Sequence, residues 1–397
     1  KVDAHWVVLS AAGRRGDEAR SSADAFLAGA ERARVELAEF RDGFFPWDGD
    51  KIKVWLEALK VRTAPDVVLR RRFGDCKDKA LLLARLLREA GFEAKPMLVN
   101  TFIRGGAGKL LPSPNLFNHA IVEFALDGQR RWIDPTVVLQ GGGALNRPPL
   151  NFEAGLRIDR SAEALTPIDG STEGNAYKLH EAFILDTAGG QTVLEVNCTA
   201  TGIHADNLRC RFAMEGVEAV AKSREQFYRN AFLETSRFGV LEWKDDRDGN
   251  TISLTERFDL GQPYAKGTNA RLCHLGFGSH LVQSLLSLPA GKTTRKFPLA
   301  LGNPGTFEHR IEFQTPTMHK YPVEHFRKAS GAFTFALELQ KIRGMWTWKY
   351  SLEITKSIVE TEAFDAHRKD ILEAWPKTSI QLDLPVGIAA CKTLDKS

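Results

Sequence analysis

RRFGDCKDKALLLARLLREAG, Arg71 to Gly91, carries the signals of a helix at both of its ends. Ala80, Leu81, Leu83, Leu86, Leu87 and Ala90 recur at helical spacing, and Gly91 stands where a left-handed C-terminal cap belongs. Asp75 is placed to cap the N-terminus, its carboxylate accepting from first-turn amides. Cys76 then falls at the positive end of the helix dipole, beside Lys77. Both neighbours favour thiolate over thiol and lower the pKa from its free value of about 8.5. A cysteine before a leucine-rich helix is more often core packing, but the Gly-Asp and Lys-Asp-Lys flanks suit a partly exposed helix start better.

A nucleophilic cysteine needs a base, and the base needs an orienting group. Downstream, FNHAIVEF places His119 at the head of an apolar run. After DGQR comes RWIDPT, with Asp134 closing a short strand. The pair reads as a β-hairpin turning at Asp127-Gly128. Adjacent antiparallel strands can bring a histidine at the start of one to a carboxylate at the end of the other. Packing the Cys76 helix on that hairpin would then align thiol, imidazole and carboxylate, the residue types of a catalytic triad.

GDCKDKA with its leucine-rich helix, then GFEAKPMLVNT, FNHAIVEF and WIDPT, together resemble the transglutaminase-like (papain-like thiol enzyme) superfamily. The likeness is to a bacterial subgroup that sets this core between β-rich domains of unknown function. The motifs span Val68 to Leu145, and the later runs ADNLRC, KDDRDGN and FTFALEL fit more loosely. The resemblance implies Cys76 as nucleophile, His119 as base and Asp134 as orienting carboxylate, with no cofactor and no metal. It also implies a periplasmic or cell-envelope address. Asn118 departs from the acidic residue expected before the histidine, which bears on substrate contacts or on groups behind the triad. The sequence signature around the papain cysteine is absent, so ordinary papain-type peptidase activity does not follow.

At 397 residues the chain is too long for one compact core. Hydrophobic residues at 43% and charged residues at 26% are ordinary for a globular protein. A net charge of +4, spread along the chain, gives no footprint for nucleic acid. Apolar runs fall short of the roughly 20 residues that span a bilayer. The chain starts at Lys1 without a signal peptide, which reads as a processed or trimmed product. Five cysteines (76, 198, 210, 273 and 391) without CxxC spacing exclude a dense disulfide framework.

Upstream of the motif, HWVVLSA is strand-like. Phe26, Ala30, Ala33, Leu37 and Phe40 make one face of a helix beginning near Ser22, and IKVWLEALK (Ile52 to Lys60) makes another. Trp47 and Trp55 precede the nucleophile. Either indole could donate to an oxyanion, but core packing is the commoner use, and that donor stays unassigned. Ala94 to Thr101 reads as a buried strand. IRGGAGKLLPSPN is a loop that lacks GxxxxGK[ST] spacing, so nucleotide binding is rejected. A second loop, VVLQGGGALNRPPL, rims the same expected cleft, and the first domain ends near residue 165.

From Tyr177 to Ser397 the pattern turns to short alternating strands, among them KLHEAFIL, TVLEVNCTATG, TISLTERFDL, FEHRIEFQTP, FTFALELQ and WTWKYSLEIT. Helices interrupt them around Gly216–Phe232 and Thr361–Ala374. The stripe of Trp346, Trp348, Tyr350, Leu352 and Ile354 suits a β-sandwich core better than a ligand platform. His274 and His280 beside Cys273 lack supporting carboxylates, and His309, His319 and His325 are too dispersed for a metal motif.

The expected fold is therefore α+β: a transglutaminase-like catalytic domain over 1–165 and an antiparallel β-sandwich-like domain over 177–397. Three functions fit. The first is a thiol hydrolase (cysteine protease or amidase) acting on a peptide or other amide substrate. The second is an acyltransferase that passes the acyl group to an amine. The third is a catalytically silent scaffold whose β domain binds a protein partner or an envelope polymer. Hydrolysis ranks first.

Overall fold

The computed structural model describes residues 64–385, apart from 112, 144–146, 148–149, 160–161, 163, 169–173, 185–191, 264, 267–271, 289–294, 296–297, 315–323 and 343–344. The N-terminal strand, the helices expected from Ser22 and over Ile52–Lys60, Trp47 and Trp55 lie outside the described residues. The chain divides into two compact units, Lys1–Ser171 and Thr172–Ser397.

In the first unit, α1 (Pro65–Arg71) leads into α2 (Cys76–Glu89). The Asp75 carboxylate accepts from the Lys77 and Asp78 amides at 2.8 and 2.9 Å, and the Asp78 carboxylate accepts from the Asp75 amide, closing a capping box. At the other end the Gly91 and Phe92 amides donate to Arg88 and Leu87 carbonyls, both at 2.9 Å, with Gly91 at φ 88°. This is a Schellman stop, which uses glycine for its left-handed residue.

Five strands follow: β1 (Ala94–Val99), β2 (His119–Leu126), β3 (Gln129–Ile133), β4 (Ala154–Arg157) and β5 (Thr166–Pro167). They pair in the order β3-β2-β1-β4-β5, antiparallel throughout. Asp127 and Gly128, at φ 50° and 74°, form the two-residue turn joining β2 to β3. Ala80, Leu83, Ala84 and Leu87 of α2 pack on Ala120, Val122 and Phe124 of β2. Burial of such a face fixes the helix, and so the position of its first residue, Cys76. The strand expected to reach Thr101 stops at Val99, because the Asn100 side chain takes over the backbone: its Oδ1 accepts from the Phe102 and Ile103 amides.

The second unit is built on an eight-stranded sheet. Its members are β6 (Ala176–Ile184), β7 (Val193–Thr201), β8 (Ser236–Asp246), β9 (Thr251–Asp259), β13 (Gly305–Gln314), β14 (Glu324–Ala329), β15 (Phe333–Ile342) and β16 (Met345–Ile354). The order is β14-β15-β16-β13-β6-β7-β9-β8. Smaller sheets join β10 (Ala265–Lys266), β11 (Leu272–Gly278) and β18 (Ser379–Pro385), and β12 (Leu299–Ala300) with β17 (Ile358–Val359). Among the described residues, four α-helices accompany them: α3 (Ile203–Glu215), α4 (Val217–Ala231), α5 (His280–Leu285) and α6 (Phe364–Ala374).

Trp346, Trp348, Tyr350, Leu352 and Ile354 are all buried, in one core with residues of these four helices and of β11 and β18. The second layer of the expected sandwich is thus part helix and part sheet. Pairing in the large sheet is antiparallel with one departure: β13 runs parallel to β6, joining residues 130 positions apart such as Ile311 and Glu181. Alternation within a strand reports burial but not partner direction, so a parallel ladder between distant segments leaves no local mark. Strands β8 and β14, absent from the sequence expectation, are the two edges of this sheet. They carry charged, largely exposed residues, as edges exposed to solvent do. Helix α3 also escaped, because two of its buried positions are Asp206 and Arg209. Arg209 donates to Asp206, Asp245 and Asn250, so the runs ADNLRC and KDDRDGN meet around one buried guanidinium.

Candidate active site

Cys76 opens α2, half-buried, against the cluster that packs this helix on β2. His119 is the first residue of β2, and Asp134 directly follows β3. The hairpin register pairs Val122 with Ile133, which carries Asp134 back toward the start of β2. His119 Nε2 lies 2.7 Å from Asp134 Oδ2. The ring's other nitrogen, Nδ1, is then the one available to the Cys76 side chain, which hydrogen-bonds to His119. The three predicted residues therefore stand in one line of contacts, sulfur to imidazole to carboxylate.

The carboxylate is held on its far side as well. Asp134 Oδ1 accepts from the Thr136 amide at 2.8 Å and from the Thr136 hydroxyl at 2.6 Å. The Gln140 amide donates to the Asp134 carbonyl at 2.5 Å. Phe152 packs against the His119 ring, with centroids 5.9 Å apart. Asn118, the departure from the expected acidic residue, clasps Thr101: its Oδ1 accepts from the Thr101 amide and its Nδ2 donates to the Thr101 hydroxyl, each at 2.9 Å. Asn100 Nδ2 donates to the Leu116 carbonyl. The two asparagines thus tie the end of β1 to the segment entering His119.

Electrostatics separate Cys76 from its counterparts. Its pKa is lowered, chiefly by the hydrogen bond with His119; burial opposes this, and the charges of His119 and Lys77 and a bond with the Ala120 backbone assist it. Burial pushes the thiols of Cys198 and Cys210 the other way, helped at Cys210 by Asp206. For His119, burial disfavours the charged ring, yet hydrogen bonds and charge from Asp134 and Cys76 raise its pKa to about 9. Each group's charged form thus favours that of the other, thiolate with imidazolium.

Thr136 and Phe152 were not picked out by sequence reasoning. WIDPT contained the threonine, and a hydroxyl two residues after a carboxylate is the available signal, since Asx-type turns bond at that offset. Phe152 sits in a loop without periodicity and left no signal.

Comparison with known proteins places this unit. Residues 50–135, which include all three side chains, match the model of the transglutaminase-like superfamily. Over this region the chain is similar to that superfamily. No curated protein sequence matches the chain. A solved structure from Parabacteroides distasonis ATCC 8503, described as a candidate protease, is similar at 10% identity and a TM-score of 0.46. The match covers 96% of this chain and 59% of that one, so the chain spans about three-fifths of its length. Among the described residues, no helix is long and apolar enough to cross a membrane.

Proposed function

We propose that the first unit is the catalytic domain of a thiol hydrolase acting on peptide or other amide bonds, with the β-rich unit as a separate domain. The Cys76 thiolate attacks the substrate carbonyl. The tetrahedral oxyanion forms beside the Cys76 amide at the positive end of α2, where helix amides stabilise negative charge. His119, as imidazolium, gives its proton to the leaving amine, and the C–N bond breaks to leave a thioester on Cys76. Neutral His119 then takes a proton from water, whose oxygen attacks the thioester. Collapse expels the Cys76 thiolate beside protonated His119, restoring the starting pair, and releases a carboxylic acid. Asp134, oriented by Thr136, holds the ring in the required tautomer and stabilises its charged form.

The observation that carries this reading is the contrast among the described cysteines. Of Cys76, Cys198 and Cys210, only Cys76 has a lowered pKa, and its partner is a histidine fixed 2.7 Å from a carboxylate. Reaction with an electrophilic thiol probe at neutral pH, followed by peptide mapping, tests it: Cys76 should be modified ahead of the other four cysteines. Equal modification of all exposed cysteines would instead favour a silent scaffold. Incubation with activated acyl donors, with and without a primary amine, then separates outcomes. Free acid in both cases means hydrolysis, whereas an amide formed with the amine means acyl transfer.

A further inference from the structure

Three further chemistry-bearing side chains meet in the core of the second unit. Glu181 lies in the middle of β6 and His309 on β13, both on the core-facing side of the sheet. The parallel register sets Glu181 opposite Ile311, which puts His309 two positions along on the same face. His309 Nε2 is 3.0 Å from one Glu181 oxygen. His280, the first residue of α5, holds its Nδ1 3.9 Å from the other. One donor atom from each residue fits within 4.8 Å of the others. The residues are far apart in sequence, which is why no spacing rule found them.

Two features go beyond coincidence. The first is charge. Glu181 is 3% exposed, and a buried carboxylate requires a compensating cation. Among the buried and half-buried arginines of this unit, Arg209 pairs with Asp206 and Asp245, and Arg224 and Arg237 both pair with Glu256. Around Glu181 stand the Tyr228 hydroxyl, donating at 2.6 Å, and the two imidazoles. The second is the outer layer. Ser279 Oγ lies 3.0 Å from His309 Nδ1, so it can take that N–H and leave the Nε2 lone pair facing the carboxylate. A lone pair turned toward a carboxylate needs a proton or a metal ion between them. A hydrogen-bonded Nδ1 with Nε2 presented inward is the arrangement that supports a histidine ligand. The 3.9 Å separation of His280 from Glu181 is too long for a hydrogen bond. It is closer to the edge of about 3.3 Å that two ligands span when bound tetrahedrally at about 2.0–2.1 Å.

We propose that Glu181, His280 and His309 form a binding site for a divalent metal ion of the zinc class, held by two imidazoles and one carboxylate with water completing the shell. Nitrogen and oxygen donors in this combination suit Zn²⁺. His280, whose side chain is 34% exposed, opens the site to solvent. The ion would staple β6 to β13 across the one parallel ladder of the large sheet and anchor α5 onto both. The site is independent of the chemistry at Cys76.

The test uses the full chain with Cys76→Ser as background, so that the thiol at the first site cannot supply a ligand. Titration with Co²⁺ should give a saturable visible d–d spectrum at one equivalent, without a thiolate charge-transfer band, and Zn²⁺ should displace it. Zn²⁺ should also raise the melting temperature by several degrees. His280→Ala, chosen because it is the least buried ligand, should lower affinity at least tenfold while the metal-free protein melts near its parent. Ser279→Ala, which removes only the outer contact, should weaken binding about 10–100-fold. Absence of the cobalt spectrum and of the zinc shift would overturn the proposal. So would a cobalt affinity unchanged by His280→Ala.

Discussion

Replacing His119 by alanine while Cys76 stays in place removes the largest influence lowering the thiol's pKa and leaves burial, which raises it. A thiol at its free value of about 8.5 is only about 3% ionised at pH 7. If the native thiol is fully ionised there, the thiolate population falls about thirtyfold in the variant. The more basic thiolate is intrinsically the better nucleophile, which returns part of the loss. Alkylation of Cys76 by iodoacetamide at pH 7 should therefore slow about five- to thirtyfold. The pH profile gives the sharper readout. Native protein should label with a shallower rise from pH 7 to 8.5 than the variant, whose rate should climb nearly tenfold per pH unit while pH is well below the thiol's raised pKa. Cys210 serves as internal control, since its raised pKa owes nothing to His119. Identical pH profiles for native protein and variant would refute the thiolate–imidazolium reasoning, whatever the effect on turnover.

Asp134→Asn keeps the shape but removes the charge that supports the imidazolium; turnover of an amide substrate should fall roughly 10²–10⁴-fold, measured against circular dichroism showing an intact fold. The folded pKa of His119, about 9, exceeds its unfolded value of about 6.5. Its protonation therefore stabilises the fold fully below pH 6.5, and that contribution disappears as pH rises through 9. In a Cys76→Ser background, which removes the coupled thiol, the melting-temperature gap between parent and His119→Gln should accordingly narrow as pH rises above 6.5, and a gap that widens would contradict the sign. Asp75→Ala removes the acceptor for two first-turn amides and should cost about 0.5–2 kcal/mol in urea unfolding. Arg209→Ala leaves buried Asp206 and Asn250 without their shared donor and should cost roughly 3–5 kcal/mol, far more than Arg211→Ala, whose Glu215 pair is exposed.

What could be read in advance follows the range of each interaction. Cap, helix and Schellman stop around Cys76 are all specified within about twenty residues, and the Asp127-Gly128 turn fixes the register that returns Asp134 toward His119. Local chemistry therefore foretold most of the candidate site. The carboxylate's second clasp by Thr136 and the ring's contact with Phe152 depend on side-chain placement, which periodicity does not encode. In the β-rich unit, strands with one apolar face were legible as strands. The edge strands β8 and β14 were not, because they lack an apolar buried face: β8 buries only Leu241, and β14 alternates between half-buried and exposed residues. Glu181 and His309 looked unrelated for a different reason: what joins them is a ladder between segments 130 residues apart.

That ladder has a kinetic consequence. On one side of it, β6, β7, β9 and β8 can zip up from nearby segments, and on the other β13 to β16 can do the same. The halves knit only when β6 finds β13, a closure spanning well over a hundred residues whose entropic toll grows slowly with span but delays the search. Refolding of this unit should therefore proceed through two preassembled half-sheets that meet along the β6–β13 ladder, with β11 and β18 joining the same two halves in the smaller sheet. Two separately produced pieces cut between β11 and β13 should be able to recombine into the intact sheet.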